Sequence, residues 1–263
     1  MCKLKSGLLF KDRVFLPDYD SHDKMLDELG IEDNYIGASN TFVRFEVCPD
    51  ENGSVFTDPK DWIYKVDQDI LPDWYDEIDG ENRAREAVKK WFYEHVHIGS
   101  KIFKISSGIH YVKDCNINFI SGNANVVTVC GNSNVEFVYD NAFIKCAVDN
   151  VTIKSVYDNA VLKYVYDNTT VNLVDGNATV NDVYGNAKLK LVCGKATVNS
   201  VHGNATVNEV CGNATIKSVY GNSTINSVFE NATVKSVSGY AIVVNGKKII
   251  VASDSNYVLQ KGV

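Results

Sequence analysis

From residue 120 onward the chain repeats one pattern of apolar and polar positions. Fourteen units of nine residues begin at Ile120 and then at every ninth residue up to Val237, without insertion or deletion. The first place is Val in twelve units, the fifth is Ala in ten, and the seventh is always Val, Ile or Leu. Residues 183–210, VYGNAKLKLVCGKATVNSVHGNATVNEV, show the pattern most plainly. The fifth and seventh places alternate as a half-buried strand does, but the next apolar place lies three residues on and breaks the parity. A bend or bulge is therefore predicted near the eighth and ninth places. The third and fourth places read GN or DN, residue types that tolerate the left-handed backbone of a tight corner.

Units this short cannot bury a core alone, so they must stack, and a fixed period without insertions is the mark of a solenoid. Two units make a flattened coil of eighteen residues and three make a triangular one; the small core residues favour two. The predicted fold is mainly β: a parallel β-solenoid of nonapeptide repeats, two per coil, behind an N-terminal α+β cap. Seven coils from residue 120 to 245 would rise roughly 34 Å at about 4.8 Å per coil. A degenerate unit is expected to start at Tyr111.

Asparagine fills the fourth place in twelve units. Stacked one per coil, the amides of Asn141, Asn150, Asn159, Asn168, Asn177, Asn186, Asn204, Asn213, Asn222 and Asn231 are expected to form structural ladders, each C=O accepting from the neighbouring NH₂. Thr179, Thr197, Thr215 and Thr233 would form a column on one face, which resembles an ice-binding surface but lacks a second threonine at the eighth place. Tyr139, Tyr157, Tyr166, Tyr184, His202, Tyr220 and Phe229 recur at the second place and predict aromatic stripes that stiffen the corners.

The first hundred residues differ in kind. They hold 12 basic and 22 acidic side chains, a net −10, against 14 and 11, a net +3, in the remainder. All four prolines, all three tryptophans and all four arginines lie there too. This sets expected segments of 1–100 for an acidic cap, 101–245 for the solenoid and 246–263 for a C-terminal capping hairpin that turns at Asn245 and Gly246. Within the cap, PDYDSHDKMLDELGIED predicts a helix with Asp20 or Ser21 as its cap and Gly30 as its stop. TFVRFEV and DWIYKVD predict two strands around the turn PDENGS, with Val43, Phe45 and Val47 alternating against Arg44 and Glu46. ENRAREAVKKWFYEHV places Ala84, Val88, Trp91 and His95 on one helical face. The cap is suited to cover the open end of the solenoid.

Candidate chemistry adds little to this picture. The seven cysteines form no C-x-x-C and are expected to be reduced thiols of a cytoplasmic protein. The start of the chain has no apolar core long enough for a signal peptide, and no run of eighteen apolar residues predicts a membrane span. His95 and His97 lack a second ligand pair at metal spacing, and the repeat lacks the aspartate that calcium-binding nonapeptide rolls carry in every unit. No cofactor, no metal and no catalytic residue is expected, although the cap is rich in carboxylates that could serve an enzyme. The solenoid has no arginine, which argues against direct nucleic-acid binding.

Residues 67–81, DQDILPDWYDEIDGE, hold seven acids and no base, with Ile70, Leu71, Trp74 and Tyr75 among them. Aromatic anchors ringed by charge are what a binding hot spot contains, so Asp73, Trp74, Tyr75, Asp76, Glu77 and Asp79 are the candidate binding residues for a protein with a basic surface. The phrases LPDYDSHDKMLDELGI and VDQDILPDW, joined to units such as VYDNA and VYGNA, resemble a group of uncharacterised bacterial and bacteriophage proteins. That resemblance implies a mobile-element setting and carries no functional residues with it. Two functions other than catalysis are consistent with these features: a protein-binding solenoid, or an inhibitor of a host defence or nucleic-acid-binding protein whose acidic cap imitates phosphate.

Overall fold

The computed structural model describes residues 4–32, 40–50, 53–245, 248–251 and 257–259. The chain divides after Val96 into two compact units. In the first, strands β1 (Ser6–Phe10), β2 (Val14–Phe15), β3 (Phe42–Cys48) and β4 (Ile63–Val66) form an antiparallel sheet in the order β2-β1-β3-β4. The predicted alternation along β3 is not what the structure shows: Phe42, Val43, Phe45, Glu46 and Val47 are all buried. Strand β3 is paired on both edges, by β1 and β4, and Met25 and Leu26 cover the face that carries Phe42.

Helix α1 (His22–Leu29) begins where Ser21 accepts a hydrogen bond from the Lys24 N–H and stops at Gly30, whose φ is +64°. It packs Met25 and Leu26 on Leu8, Phe10 and Phe42. Helix α2 (Glu77–His95) starts four residues before the apolar pattern suggests, because Asp76 caps it by accepting from the Asp79 N–H. Its first turn thereby takes in Glu77 and Asp79, and acids there are favoured by the helix dipole. The buried face of α2 is Ala84, Val88, Trp91 and Phe92, and His95 stacks on Trp91 at 5.1 Å.

The second unit is the predicted solenoid. Two ten-stranded sheets face each other, and along the repeat array the strands pair in parallel with those a coil away, as Val135 with Ile153 and Val180 with Val198. Equivalent places are eighteen residues apart, so each coil holds two units. The fifth, seventh and first places point inward: Ala187, Leu189 and Val192 are each fully buried, as are their counterparts along the array. The eighth and ninth places both face outward, which is the parity break predicted from the sequence.

The array is longer than the repeat suggests, about eight coils, because Lys101–Ile105 already pairs in register with Asn116–Ile120. Ile109–Lys113 does the same with Asn125–Cys130 but drops one residue after His110, pairing Tyr111 with Thr128 and Val112 with Val129. The degenerate unit thus starts at Val112, one residue later than expected. At the far end Lys248–Val251 adds antiparallel to Ile242–Asn245, and Tyr257–Leu259 adds antiparallel to Thr233–Val237. Both sheets therefore end on antiparallel strands; Gly246, expected in that turn, lies outside the described residues, as do Glu51 and Asn52 of the PDENGS turn.

Every coil turns through the left-handed region. All fourteen third places have positive φ: nine are glycines, from Gly122 to Gly239, and five are acids, Asp140, Asp149, Asp158, Asp167 and Glu230. A non-glycine residue there costs about 1 kcal/mol or more. Four of the five acids offset it by reaching one coil back: Asp140 accepts from the Gly122 N–H at 3.0 Å, Asp149 from Gly131 at 2.8 Å, Asp158 from Asp140 at 3.4 Å and Glu230 from Gly212 at 2.6 Å. These carboxylates serve the backbone of the corner. At Gly203, φ is +66° and an added Cβ would sit 3.1 Å from the Gly185 nitrogen. Gly203→Ala should therefore cost about 1–2 kcal/mol in a urea melt, while Gly203→Asp should lose less because its carboxylate can accept the Gly185 N–H; equal losses would contradict this reading of the acidic corners.

Candidate protein-binding surfaces

The acidic segment of the cap is partly tied into the fold. Trp74 is half-buried and its indole N–H donates to the Asn40 carbonyl at 2.9 Å. Tyr75 meets Trp74 edge-on at 6.5 Å, and its hydroxyl bonds that of Tyr64 at 3.0 Å. Burial pushes both phenols above their ordinary pKa, with neighbouring acids adding to the rise. Asp76 is the helix cap, Asp79 pairs with Arg83 at 3.4 Å and Glu81 with Arg85 at 2.7 Å. Asp73 and Glu77 stand exposed. Trp74 and Tyr75 thus support the segment, and the apolar groups that reach solvent are Ile70, Leu71 and Ile78, the last 75% exposed. Ile78 escaped the sequence reading because only the start of α2 at Asp76 turns it outward among the acids.

The phrase PDYDSHD makes three polar side-chain contacts with three different segments. Asp18 faces His95 at 3.4 Å; Asp20 pairs with the fully buried Lys5 at 2.9 Å; and the His22 Nδ1 lies 3.2 Å from Asp67. Lys5 also donates to the Pro17 carbonyl at 2.6 Å and sits over the Trp91 ring. The His22 Nε2 lies 3.2 Å from the Phe45 carbonyl. These pairs join the segment before α1, and the first residue of α1, to the residue before β1, to α2 and to the loop after β4. Of two shallow cavities, one of about 330 Å³ is lined by Lys60, Arg85, Lys89 and Tyr93, and one of about 420 Å³ borders the end of this phrase, lined by Asp23, Asp27 and Glu32. Among the described residues no group of three or more His, Cys, Asp or Glu side chains is placed to hold a metal ion.

On the solenoid, Tyr166, Tyr184, His202 and Tyr220 form one continuous stack with centroids 4.8–5.2 Å apart and planes within 13° of parallel. Each inner ring has both faces covered by its neighbours, so the stack presents edges rather than platforms for bases or sugars. Tyr139 and Tyr157 stack likewise at 5.4 Å. The asparagine ladders are partial. Amide bonds of 3.3–3.5 Å link Asn132, Asn150 and Asn168, then Asn141, Asn159 and Asn177, and also Asn204 with Asn222. Lys195 interrupts one ladder between Asn177 and Asn213. Among the described residues no amide–amide bond reaches Asn186, Asn213 or Asn231. These three are held instead through the backbone N–H, as Asn186 is by the Asp167 carbonyl at 2.9 Å. A closer amide bond, 2.9 Å, joins Asn199 to Asn181 at the eighth place.

The expectation of reduced thiols throughout is corrected at two positions. Cys193 and Cys211 are joined in a disulfide between neighbouring coils, with Cα atoms 4.8 Å apart. The signal was legible: both occupy the second place and they are eighteen residues apart. Cys115, Cys130 and Cys146 carry free thiols, and burial together with the Asp149 carboxylate pushes the Cys130 thiol up to about 11. Cys2 lies outside the described residues. The threonine column exists as predicted, with Thr179, Thr197, Thr215 and Thr233 paired in register. Among the described residues no helix is long and apolar enough to cross a membrane.

No protein-family model, curated protein or solved structure matches the chain.

Gly80 tests the packing beneath the acidic segment. A Cβ there would come within 2.5 Å of the Tyr75 ring. Glycine to alanine inside an open helix stabilises by about 1 kcal/mol, but Gly80→Ala should destabilise the cap by about 1–2 kcal/mol through overpacking. Tryptophan fluorescence in a urea melt reads the cap alone, since all three tryptophans lie in it; a net gain in stability would contradict the account.

Proposed function

We propose that this chain is a non-catalytic binding protein whose partner presents a basic protein surface to the cap. The observation that carries the reading is the exposure of Ile70, Leu71 and Ile78 amid Asp69, Asp73 and Glu77. Apolar side chains in contact with water supply the buried area of an interface, and a field of one sign steers a partner of the other. The solenoid supplies a long, rigid surface, as repeat arrays do. A phage or mobile-element setting for this activity rests on the resemblance of the cap phrases alone. In the inhibitor version of the same reading, the partner is a nucleic-acid-binding protein and the acids stand in for phosphates.

The test separates contact from charge. Ile78→Ser removes the most exposed apolar group, and Asp69→Asn with Asp73→Asn and Glu77→Gln removes charge while sparing the helix cap Asp76 and the Arg83 partner Asp79. Proteins captured from a bacterial lysate by the wild type should be lost with Ile78→Ser at any salt. The charge variant should capture less at low salt and lose its salt dependence. Competition by DNA would favour the inhibitor version. Retention of the same proteins by both variants would overturn the assignment to the cap.

A further inference from the structure

The ninth place of one solenoid sheet carries an outward column with an unusual symmetry. In-register pairing runs from Lys104 through Phe119 and Phe137 to Ser155. It continues through Leu173 and Leu191 to Glu209. The sequence about Ser155 is therefore self-complementary: one step away stand Phe137 and Leu173, two steps away Phe119 and Leu191, and three steps away a cation and an anion. Phe137 is 37% exposed, and Phe103, 72% exposed, leans edge-on against Phe119 at 5.4 Å. Tyr139 and Tyr157 broaden the apolar strip, meeting Phe119 and Phe137 edge-on at 6.1 and 6.4 Å. The equivalent column of the other sheet, Thr128, Cys146, Tyr164, Asp182, Ser200 and Ser218, has no such order.

We propose that this face is the interface of a two-fold homodimer in which two solenoids pack antiparallel, centred on Ser155. A two-fold axis along the strand direction lays each ninth place on the same place of the second copy and reverses the order of coils. Lys104 then meets Glu209, Phe119 meets Leu191 and Phe137 meets Leu173, each pair twice, as an isologous contact requires. A second copy is also the partner whose coils rise by the same step, so the side chains stay in register along the whole strip. The eighth place adds one like pair, Lys154 against its own mate, but Glu136 already neutralises it at 2.6 Å. Six steps of about 4.8 Å by five residues of about 3.3 Å give a face of roughly 29 by 17 Å. That is at the small end for specific interfaces, so the dimer dissociates in the micromolar range.

Sedimentation velocity on the purified chain from about 1 to 200 μM tests this without reference to any other partner. The mass should rise from 29.1 kDa toward twice that value with concentration. Phe137→Asp and Leu173→Asp should each hold the chain monomeric, with circular dichroism melts confirming that the variants fold. Lys104→Glu alone and Glu209→Lys alone should each raise the dissociation constant about three- to tenfold, and the two together should restore it. That restoration is specific to the antiparallel arrangement. A wild type monomeric across the range would overturn the proposal. So would a dimer that survives Phe137→Asp, or a double reversal no better than the single ones.

Discussion

The solenoid depends on one backbone constraint: twice in every coil a single residue must adopt the left-handed region so that the chain can turn between facing sheets. That corner fixes the number of residues per half-coil, and the fixed number keeps Val, Ala and Ile on the inside. Glycine meets the demand without steric strain in nine units. Where Asp140, Asp149, Asp158 or Glu230 stands instead, its carboxylate bonds the backbone of the coil before it, so strain at one corner is offset at the adjoining one. The backbone N–H of the next residue also reaches one coil back, from Asn141 to Gly122 and onward through Tyr240 to Gly221. Stacking therefore continues through the corners and does not rely on the sheets alone.

This explains why the architecture could be read from the sequence while several side-chain roles could not. The nonapeptide period sets which places face inward, and period is visible in a string of letters. The asparagine ladder was legible as a column, yet its bonds are long, exposed and intermittent; the fourth place is held chiefly by backbone hydrogen bonds, which any residue type can make, as Lys195 and Tyr240 do. The disulfide was missed for the opposite reason. Scattered cysteines look unrelated when counted along the chain, and only the eighteen-residue coil brings Cys193 beside Cys211. The missing residue after His110 is a register shift, which apolar patterning near Tyr111 could not locate.

In the cap, local signals were sound and the surface was not. Ser21, Gly30 and the buried stripe of α2 follow from capping and helical periodicity. The density of acids in residues 67–81 looked like a single binding feature, but it contains three kinds of group. Asp67 faces a buried histidine, Asp76 caps a helix, and Asp79 and Glu81 pair with arginines one turn on. Trp74 and Tyr75 look like exposed anchors in sequence because nothing local announces that Asn40 and Tyr64 will hold their polar groups. The aliphatic residues left in water, above all Ile78, are where a partner would gain contact.

Two units per coil is the central claim, and cysteine pairing measures it directly. Thr197 and Thr215 are in-register partners eighteen residues apart, and neighbouring parallel strands bring Cα atoms within the range a disulfide spans. Copper-catalysed oxidation of Thr197→Cys with Thr215→Cys, read by peptide mass spectrometry, should give the cross-linked peptide. Thr197→Cys with Thr224→Cys, one unit further on and on the opposite sheet, should not. Closure of the second pair without the first would mean three units per coil and would contradict the account.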